Sequence, residues 1–237
     1  MHFPWLREDE IELKAEQLRA RALGMSCAET PKVDLETLLY DYLCERENMS
    51  FDDECDLGSE NGDVILGRMY PRRGRIELSR SLKMPGTDGR YRFTLAHEIG
   101  HWELHRPLYL AQAEELDLFA EAGAVECLTS LNRAIFPSPG RAVAPEEWQA
   151  NRFAAALLIQ PVVLRLEFES RFGLAPVAWR TPEWESRSES LRQHAVRLAV
   201  QVRNGFEPLF RAFGVSRETM AIALERGKFV TENQPLL

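Results

Sequence analysis

The chain has 237 residues, with 45% hydrophobic and 28% charged residues and a formal net charge of −8. The composition is that of an ordinary globular protein, and the length suffices for one large core or two small domains. The negative charge argues against general binding to nucleic acid through phosphate contacts. No apolar run reaches about 18 residues, so we expect no membrane span. Scattered cysteines and an acidic N-terminus favour a cytoplasmic location.

The first part of the chain predicts two helices. Apolar residues at helical spacing predict one over residues 8–23, with Gly24 as its natural end. Asp34 suits the N-cap of the second, because its carboxylate can accept hydrogen bonds from free backbone N–H groups. The acidic stretch 52–63 lacks the glycine and glutamate spacing of an EF-hand, so we interpret it as a solvated loop.

A β-hairpin is predicted next. Residues 63–70 and 75–79 favour strands, and Pro71-Arg72-Arg73-Gly74 between them favours a turn. A small sheet in an otherwise helical chain predicts an α+β fold.

The sequence His97-Glu98-Ile99-Gly100-His101 carries the clearest chemical signal. On a helix, the two histidines share one face about 6 Å apart along the axis, so both imidazoles can bind one metal ion. Glu98 lies beside them, close enough to act on a water bound to that ion. This is the H-E-x-x-H pattern of zinc hydrolases, and an exposed edge strand of the preceding sheet could hold a peptide extended. The apolar back of the helix would consist of Leu95, Ile99 and Trp102.

A catalytic zinc needs a third protein ligand. His105 continues the same helix face, but it lies about 12 Å along the axis from His97, too far to bind the same ion. We therefore assign it a substrate-side or a structural hydrogen-bonding role. Metzincin spacing is excluded, because Pro107 and Leu104 stand where that class needs histidine and glycine.

The predicted third ligand is Glu147, on the next long helix. Glu147 and Asn151 share a helix face, which is the arrangement of glutamate-type zincins. There the carboxylate binds metal, and the residue four positions on orients a ligating histidine. Glu146 stays open as the rival ligand; its structural role would be to stabilise the helix dipole.

The remainder of the chain is predicted to be mainly helical. One helix begins near Pro145 and ends before Pro161. The composition changes after residue 172, so we divide the chain into a zincin-like metallopeptidase domain over 1–172 and a helical C-terminal region over 173–237. Helices resume near residue 188, and the region ends in a helix-turn-helix-like element.

Two motifs together resemble the ImmA/IrrE family of metallo-endopeptidases. They are Phe93–His101, with His105 one turn further on, and Trp148–Pro161. The resemblance covers roughly residues 10–161, and residues 213–220 resemble the short helix-turn-helix-like ending of many members.

Two departures from the family pattern stand out. Gln160 replaces the methionine that commonly precedes the proline of the second motif. The separation between His101 and Glu147 is long, so we interpret residues 107–144 as an extra lid or a target-reading element.

The resemblance implies a zincin-like fold and zinc held by His97, His101 and Glu147, with Asn151 orienting a histidine. Glu98 would take a proton from the attacking water and pass it to the leaving amine. Family members are intracellular zinc peptidases of bacteria and phages. They often cleave a partner transcriptional repressor and so switch on a stress response or a mobile element. The sequence therefore predicts a cytoplasmic zinc endopeptidase with a protein substrate.

The alternative hypothesis is a DNA-binding or partner-binding regulator with a structural or idle zinc site. Residues 209–220 predict a helix, a turn and a second helix of the DNA-reading kind. Two helices are little for a stable reading head, and the net charge is unfavourable. We therefore favour a helix pair packed on the catalytic domain over DNA binding.

Overall fold

A computed structural model describes residues 4–24, 30–60, 63–116, 144–174, 176–178 and 191–231. Over these residues the fold is α+β, mostly helical, with a small mixed sheet. The chain forms two compact units. The first comprises the described residues of Met1–Cys27 and Asp34–Leu157, and the second those of Ala28–Val33 and Leu158–Leu237.

The first unit begins with two helical segments at the predicted places. Helix α1 spans Glu8–Leu23 and ends at Gly24, whose φ of 73° suits a glycine. Asp34 accepts a hydrogen bond from the backbone N–H of Thr37 at 3.0 Å. The segment that follows, Thr37–Cys44, is a π-helix and not the predicted α-helix. A π-helix, with its i→i+5 hydrogen bonds, rotates less per residue than an α-helix, so its apolar side chains lie within a narrower sector of the helix surface. The buried leucines here are Leu38, Leu39 and Leu43.

A three-stranded sheet follows. Strand β1 is Ser50–Cys55, and after a short ribbon of β2 (Ser59–Glu60) and β3 (Asp63–Val64) come β4 (Gly67–Tyr70) and β5 (Arg75–Ser79). The order is β1-β5-β4, with β1 parallel and β4 antiparallel to β5. The predicted hairpin is confirmed, because β4 and β5 pair across the expected turn.

The loop predicted for residues 52–63 is wrong over its first part, because β1 runs through it. Basic side chains stabilise this acidic strand. Arg75 on the neighbouring strand lies 2.8 Å from a carboxylate oxygen of Asp52. Lys83 pairs with the next two acids of the strand, Asp53 at 2.7 Å and Glu54 at 2.5 Å. The charge pattern suggested solvation, but the acids pair with basic side chains of neighbouring elements.

Helix α2 spans Asp88–Leu104, and α3 spans Arg106–Leu116. Helix α2 ends before Pro107, which lies in the first turn of α3, where its missing N–H leaves no helical hydrogen bond unmade. The predicted apolar back of α2 is buried: Leu95 is 2%, Ile99 0% and Trp102 4% exposed. Of the suggested lid or target-reading element at 107–144, residues 117–143 lie outside the described part of the chain.

Helix α4 spans Pro145–Leu158 and begins at the predicted proline. Two arginine contacts hold it to α1. Arg152 lies 2.6 Å from Glu12, and Arg19 donates to the carbonyls of Ala156 and Leu157 at 2.5 and 3.1 Å. The second contact satisfies carbonyls at the C-terminal end of α4.

The described part of the second unit is mostly helical. It contains helices α5 to α8 and a pair of two-residue strands, β6 and β7, that run parallel. Their bounds are α5 Pro161–Phe172, β6 Val177–Ala178, α6 Leu191–Val200, α7 Leu209–Ala212, α8 Arg217–Arg226 and β7 Val230–Thr231. The division of the chain into domains at residue 172 stays a prediction.

The predicted helix-turn-helix-like ending is present only in a reduced form. Its first helix, α7, has four residues, little more than one turn. Its second helix, α8, is capped by Ser216, whose hydroxyl accepts a hydrogen bond from the Thr219 N–H at 3.0 Å. Among the described residues, no helix is both long and apolar enough to cross a bilayer.

Candidate metal centre

The site lies where α2 and α4 cross. A Cβ placed on Gly100 would lie 3.2 Å from both the Cα and the carbonyl oxygen of Ala150, a tighter spacing than most Cβ contacts. Glycine at this position therefore allows the two helix backbones to approach closely. The short distance lets a glutamate on α4 reach histidines on α2.

Two histidines of α2 and a glutamate of α4 converge. The Nε2 atoms of His97 and His101 lie 3.0 Å apart. Each is 3.4 Å from one carboxylate oxygen of Glu147. One ligand atom from each residue lies within 4.8 Å of the others, so this group could hold a metal ion. The rival ligand Glu146 is not part of the group.

The electrostatics of the group suit a cation. Burial would raise the pKa of the Glu147 carboxyl, but its contacts with His101 and His97 outweigh burial and hold the pKa well below its usual value. Burial lowers the pKa of His101. In His97 the effect of burial is outweighed by the hydrogen bond and charge of Glu147, so its pKa is raised. Two imidazoles and a carboxylate that face one point are the donor set of many zinc sites.

Asn151, predicted to orient a ligating histidine, lies next to His97. Its Oδ1 is 3.0 Å from Nδ1 of His97. An amide oxygen can only accept, so Nδ1 of His97 carries a hydrogen, and in the neutral ring Nε2 is the nitrogen that can bind a metal ion. Asn151 thus selects the tautomer of His97 that can bind metal.

Glu98 is fully buried beside the histidines. Strand β4 passes close to it, since a Cβ on Gly67 would lie 2.5 Å from Oε1 of Glu98 and 2.9 Å from its Cγ and Cδ. No real Cβ contact is that short, so only glycine fits here while Glu98 keeps its position. β4 is also an edge strand of the described sheet. The candidate general base therefore lies directly against the backbone of a sheet edge.

Behind His101 the structure shows partners that the sequence did not assign. Nδ1 of His101 lies 2.8 Å from Nδ1 of His105. Nε2 of His105 lies 3.1 Å from Oε1 of Gln149, and the Gln149 side-chain N–H donates to the Pro4 carbonyl at 3.0 Å. This geometry favours the structural role of His105 over the substrate-side one. The i, i+4 spacing from His101 was the available signal for His105, but no spacing in the sequence points to Gln149 or Pro4.

The surroundings of His105 disfavour its charged form. Burial, and next the proximity of His101, lower the pKa of His105 to about 3. Its side chain is 1% exposed and that of Gln149 is fully buried, so hydrogen bonds to bulk water cannot replace their mutual contact.

The comparisons with known proteins leave the function to be argued from the site. No protein-family model matches the chain, and no curated protein matches it in sequence. Among solved structures, it is similar to a Mycobacterium tuberculosis transcriptional regulator, with a TM-score of 0.45 and 16% sequence identity. That alignment covers 93% of this chain and 47% of the other, so the chain spans about half the length of the structure it matches.

Proposed function

We propose that the chain is a zinc-dependent endopeptidase of the zincin type. The observation that carries the proposal is the convergence of His97, His101 and Glu147 on one point next to a buried Glu98. Two histidines and a glutamate are the protein ligands of catalytic zinc in several peptidases, whereas structural zinc sites have four protein ligands.

Each residue of the site has a role in this proposal. When bound, zinc would lower the pKa of a water molecule and polarise the carbonyl of the scissile bond. His97, His101 and Glu147 would hold it. Glu98 would accept a proton from the attacking water at a carboxylate oxygen and deliver it to the leaving amine.

The position of the edge strand β4 favours a peptide as the substrate. A substrate chain that added to β4 as another strand would be held extended by main-chain hydrogen bonds. Because Gly67 lies against Glu98, such a chain would pass next to the general base. An extended chain bound along a strand continues in both directions, which suits cleavage within a polypeptide and not at its end.

We further propose that the substrate is a transcriptional repressor. This step depends on the resemblance of the two motifs to the ImmA/IrrE family. The alternative, a DNA-binding regulator, is less well supported, because α7 has four residues and a DNA-reading helix-turn-helix needs two full helices.

The exchange Glu98→Gln tests the catalytic proposal. The variant should keep zinc, measured by elemental analysis, and lose about 10²- to 10⁴-fold in cleavage rate. Cleavage is followed by mass spectrometry on a mixture of unstructured peptides. Glu146→Gln is the matched control, with the same chemical change one residue away from the proposed ligand, and it should keep both zinc and cleavage. A Glu98→Gln protein that cleaves at the wild-type rate contradicts the proposal.

The substrate class is tested separately. Helix-turn-helix repressors encoded beside the gene are incubated with the zinc-loaded protein and with its Glu98→Gln variant. Cleavage by the first protein alone is the expected result. Cleavage of peptides without cleavage of any such repressor would contradict the substrate class and leave the peptidase proposal intact.

A further inference from the structure

The hydrogen bonds behind His101 form a continuous chain through the first unit. It runs from His101 to His105 at 2.8 Å, from His105 to Gln149 at 3.1 Å and from Gln149 to the Pro4 carbonyl at 3.0 Å. His101 and His105 belong to α2 and the residue after it, Gln149 to α4, and Pro4 to the segment before α1. Four residues from three parts of the sequence therefore meet behind one ligand.

The chemistry of the groups allows one direction for this chain when His101 binds a metal. Metal binding takes the lone pair of Nε2, so Nδ1 of His101 carries the hydrogen and donates. At 2.8 Å from this donor, Nδ1 of His105 must accept, and the hydrogen of His105 then lies on Nε2 and is donated to Oε1 of Gln149. The amide N–H₂ of Gln149 donates in turn to Pro4, whose carbonyl can only accept. Every link has a donor and an acceptor without conflict.

We propose that His105 and Gln149 are positioning residues that fix the tautomer and ring orientation of His101 for metal binding, and that the N-terminal segment at Pro4 completes this support. The inference rests on the metal-binding part of the proposed function and not on peptide cleavage. Mutation of a residue that hydrogen-bonds to a ligating histidine commonly weakens metal binding 10- to 100-fold.

The N-terminal segment is held in place by a second contact. The ring of Trp5 stacks on that of Trp148, with centroids 4.8 Å apart and planes inclined by 17°. Trp5 is 61% exposed, so the stack covers one face of the ring while the other faces solvent. Trp148 lies between Glu147 and Gln149 in α4. The stack therefore holds the Pro4 carbonyl next to the helix that supplies both a ligand and a link of the chain.

The two histidines are supported in different ways. His97 is oriented by Asn151 in a single step at 3.0 Å. His101 is oriented through three successive hydrogen bonds, the last of which ends at the Pro4 carbonyl in the segment before α1. Metal affinity should therefore respond to changes at the N-terminus, although no residue there is a predicted ligand.

The first experiment compares His105→Leu, His105→Asn and Gln149→Met with the wild type. Gln17→Met is the matched control, because it makes the same exchange at an exposed position of α1. The dissociation constant for Zn²⁺ is measured by competition with a chromophoric chelator, and thermal unfolding of the metal-free proteins reports folding. The absorption of bound Co²⁺ reports ligand geometry.

Gln149→Met and His105→Leu should weaken Zn²⁺ binding by about 10-fold or more. His105→Asn should be intermediate, since its amide oxygen can still accept from Nδ1 of His101. The Co²⁺ spectrum should change in these variants and not in Gln17→Met. If His105→Leu does not fold, the other two decide. Folded Gln149→Met and His105→Asn proteins that bind Zn²⁺ within about twofold of the wild type would overturn the proposal.

The second experiment removes the acceptor at the end of the chain. A protein that begins at Leu6 loses the Pro4 carbonyl and the Trp5 ring, whereas Trp5→Ala loses the ring alone. The truncated protein should bind Zn²⁺ about as weakly as Gln149→Met, and combining the two changes should add little, because both break the same chain. A truncated protein with wild-type affinity would overturn the role of Pro4. These experiments measure metal affinity alone. A wild-type protein that binds Zn²⁺ but cleaves no peptide would therefore contradict the proposed peptidase activity and leave the inference on His105, Gln149 and Pro4 intact.

Discussion

Two charge-rich regions of the first unit differ in how their acids are neutralised. In the acidic strand β1, arginine and lysine side chains from neighbouring elements pair with the carboxylates, as Arg75 does with Asp52 and Lys83 with Asp53. In the group on α2 and α4, Glu147 faces the nitrogen atoms of His97 and His101. In β1 the carboxylates are paired with positively charged side chains of the protein itself. In the α2–α4 group, two imidazole nitrogens and a carboxylate face one point, which is the arrangement that a bound metal cation requires.

The largest effect is expected when one of the proposed metal ligands is removed. In the proposed zinc site, His97→Ala removes one of the two nitrogen ligands, so we expect the purified protein to contain no zinc by elemental analysis. His194→Ala is the control, because it removes another buried histidine, from the second unit. Zinc retained by His97→Ala, or lost equally from both variants, would contradict the assignment.

The next effect separates catalysis from metal binding. In Gly67→Ala the new Cβ would lie 2.5 Å from Oε1 of Glu98, so the carboxylate must move. We expect zinc to be retained and cleavage to fall by about 10²-fold or more. Gly205→Ala is the control for loss of a glycine without a steric contact, because the space around it is open; its φ of 78° adds a backbone strain that Gly67, which has no positive φ, lacks. Full cleavage by Gly67→Ala would contradict the position assigned to Glu98.

A much smaller effect is expected in the acidic strand. Arg75→Met removes the partner of Asp52 and Glu77 while keeping the aliphatic part of the side chain. Because these pairs are partly exposed, the unfolding temperature should fall by less than about 4 °C. Zinc content should be unchanged. A loss of zinc here would mean that the two regions are not independent.

The smallest effect is a pH dependence of stability. A backbone hydrogen bond from Glu54 holds the pKa of Asp52 below its usual value, and the side chains of Cys55 and Arg75 act in the same direction. A carboxyl with a lower pKa in the folded state stabilises the fold above its unfolded pKa of about 3.9 and loses this effect as the pH falls further. Asp52→Asn should therefore flatten the decrease of unfolding temperature below about pH 4. An identical decrease in both proteins would contradict this role.

Much of the fold was predicted from local patterns. Helical periodicity and end signals located α1, α2 and α4, and the turn at Pro71-Arg72-Arg73-Gly74 located the hairpin. These local sequence patterns gave a wrong prediction where contacts with residues distant in sequence determine the structure. Residues 52–55 of β1 were predicted as part of a loop, since nothing in this acidic sequence shows that Arg75 and Lys83 lie beside it.

The candidate site divides in the same way. The sequence by itself placed His97 and His101 on one helix face with Glu98 beside them, because helix geometry relates residues one and four positions apart without reference to the rest of the chain. It also paired Glu147 with Asn151 by the same spacing. Only the tertiary structure brought the two helices together at Gly100 and so decided between Glu147 and Glu146 as the member of the group. It alone revealed Gln149 and Pro4 behind His101, because hydrogen bonds between distant segments leave no periodicity in a sequence.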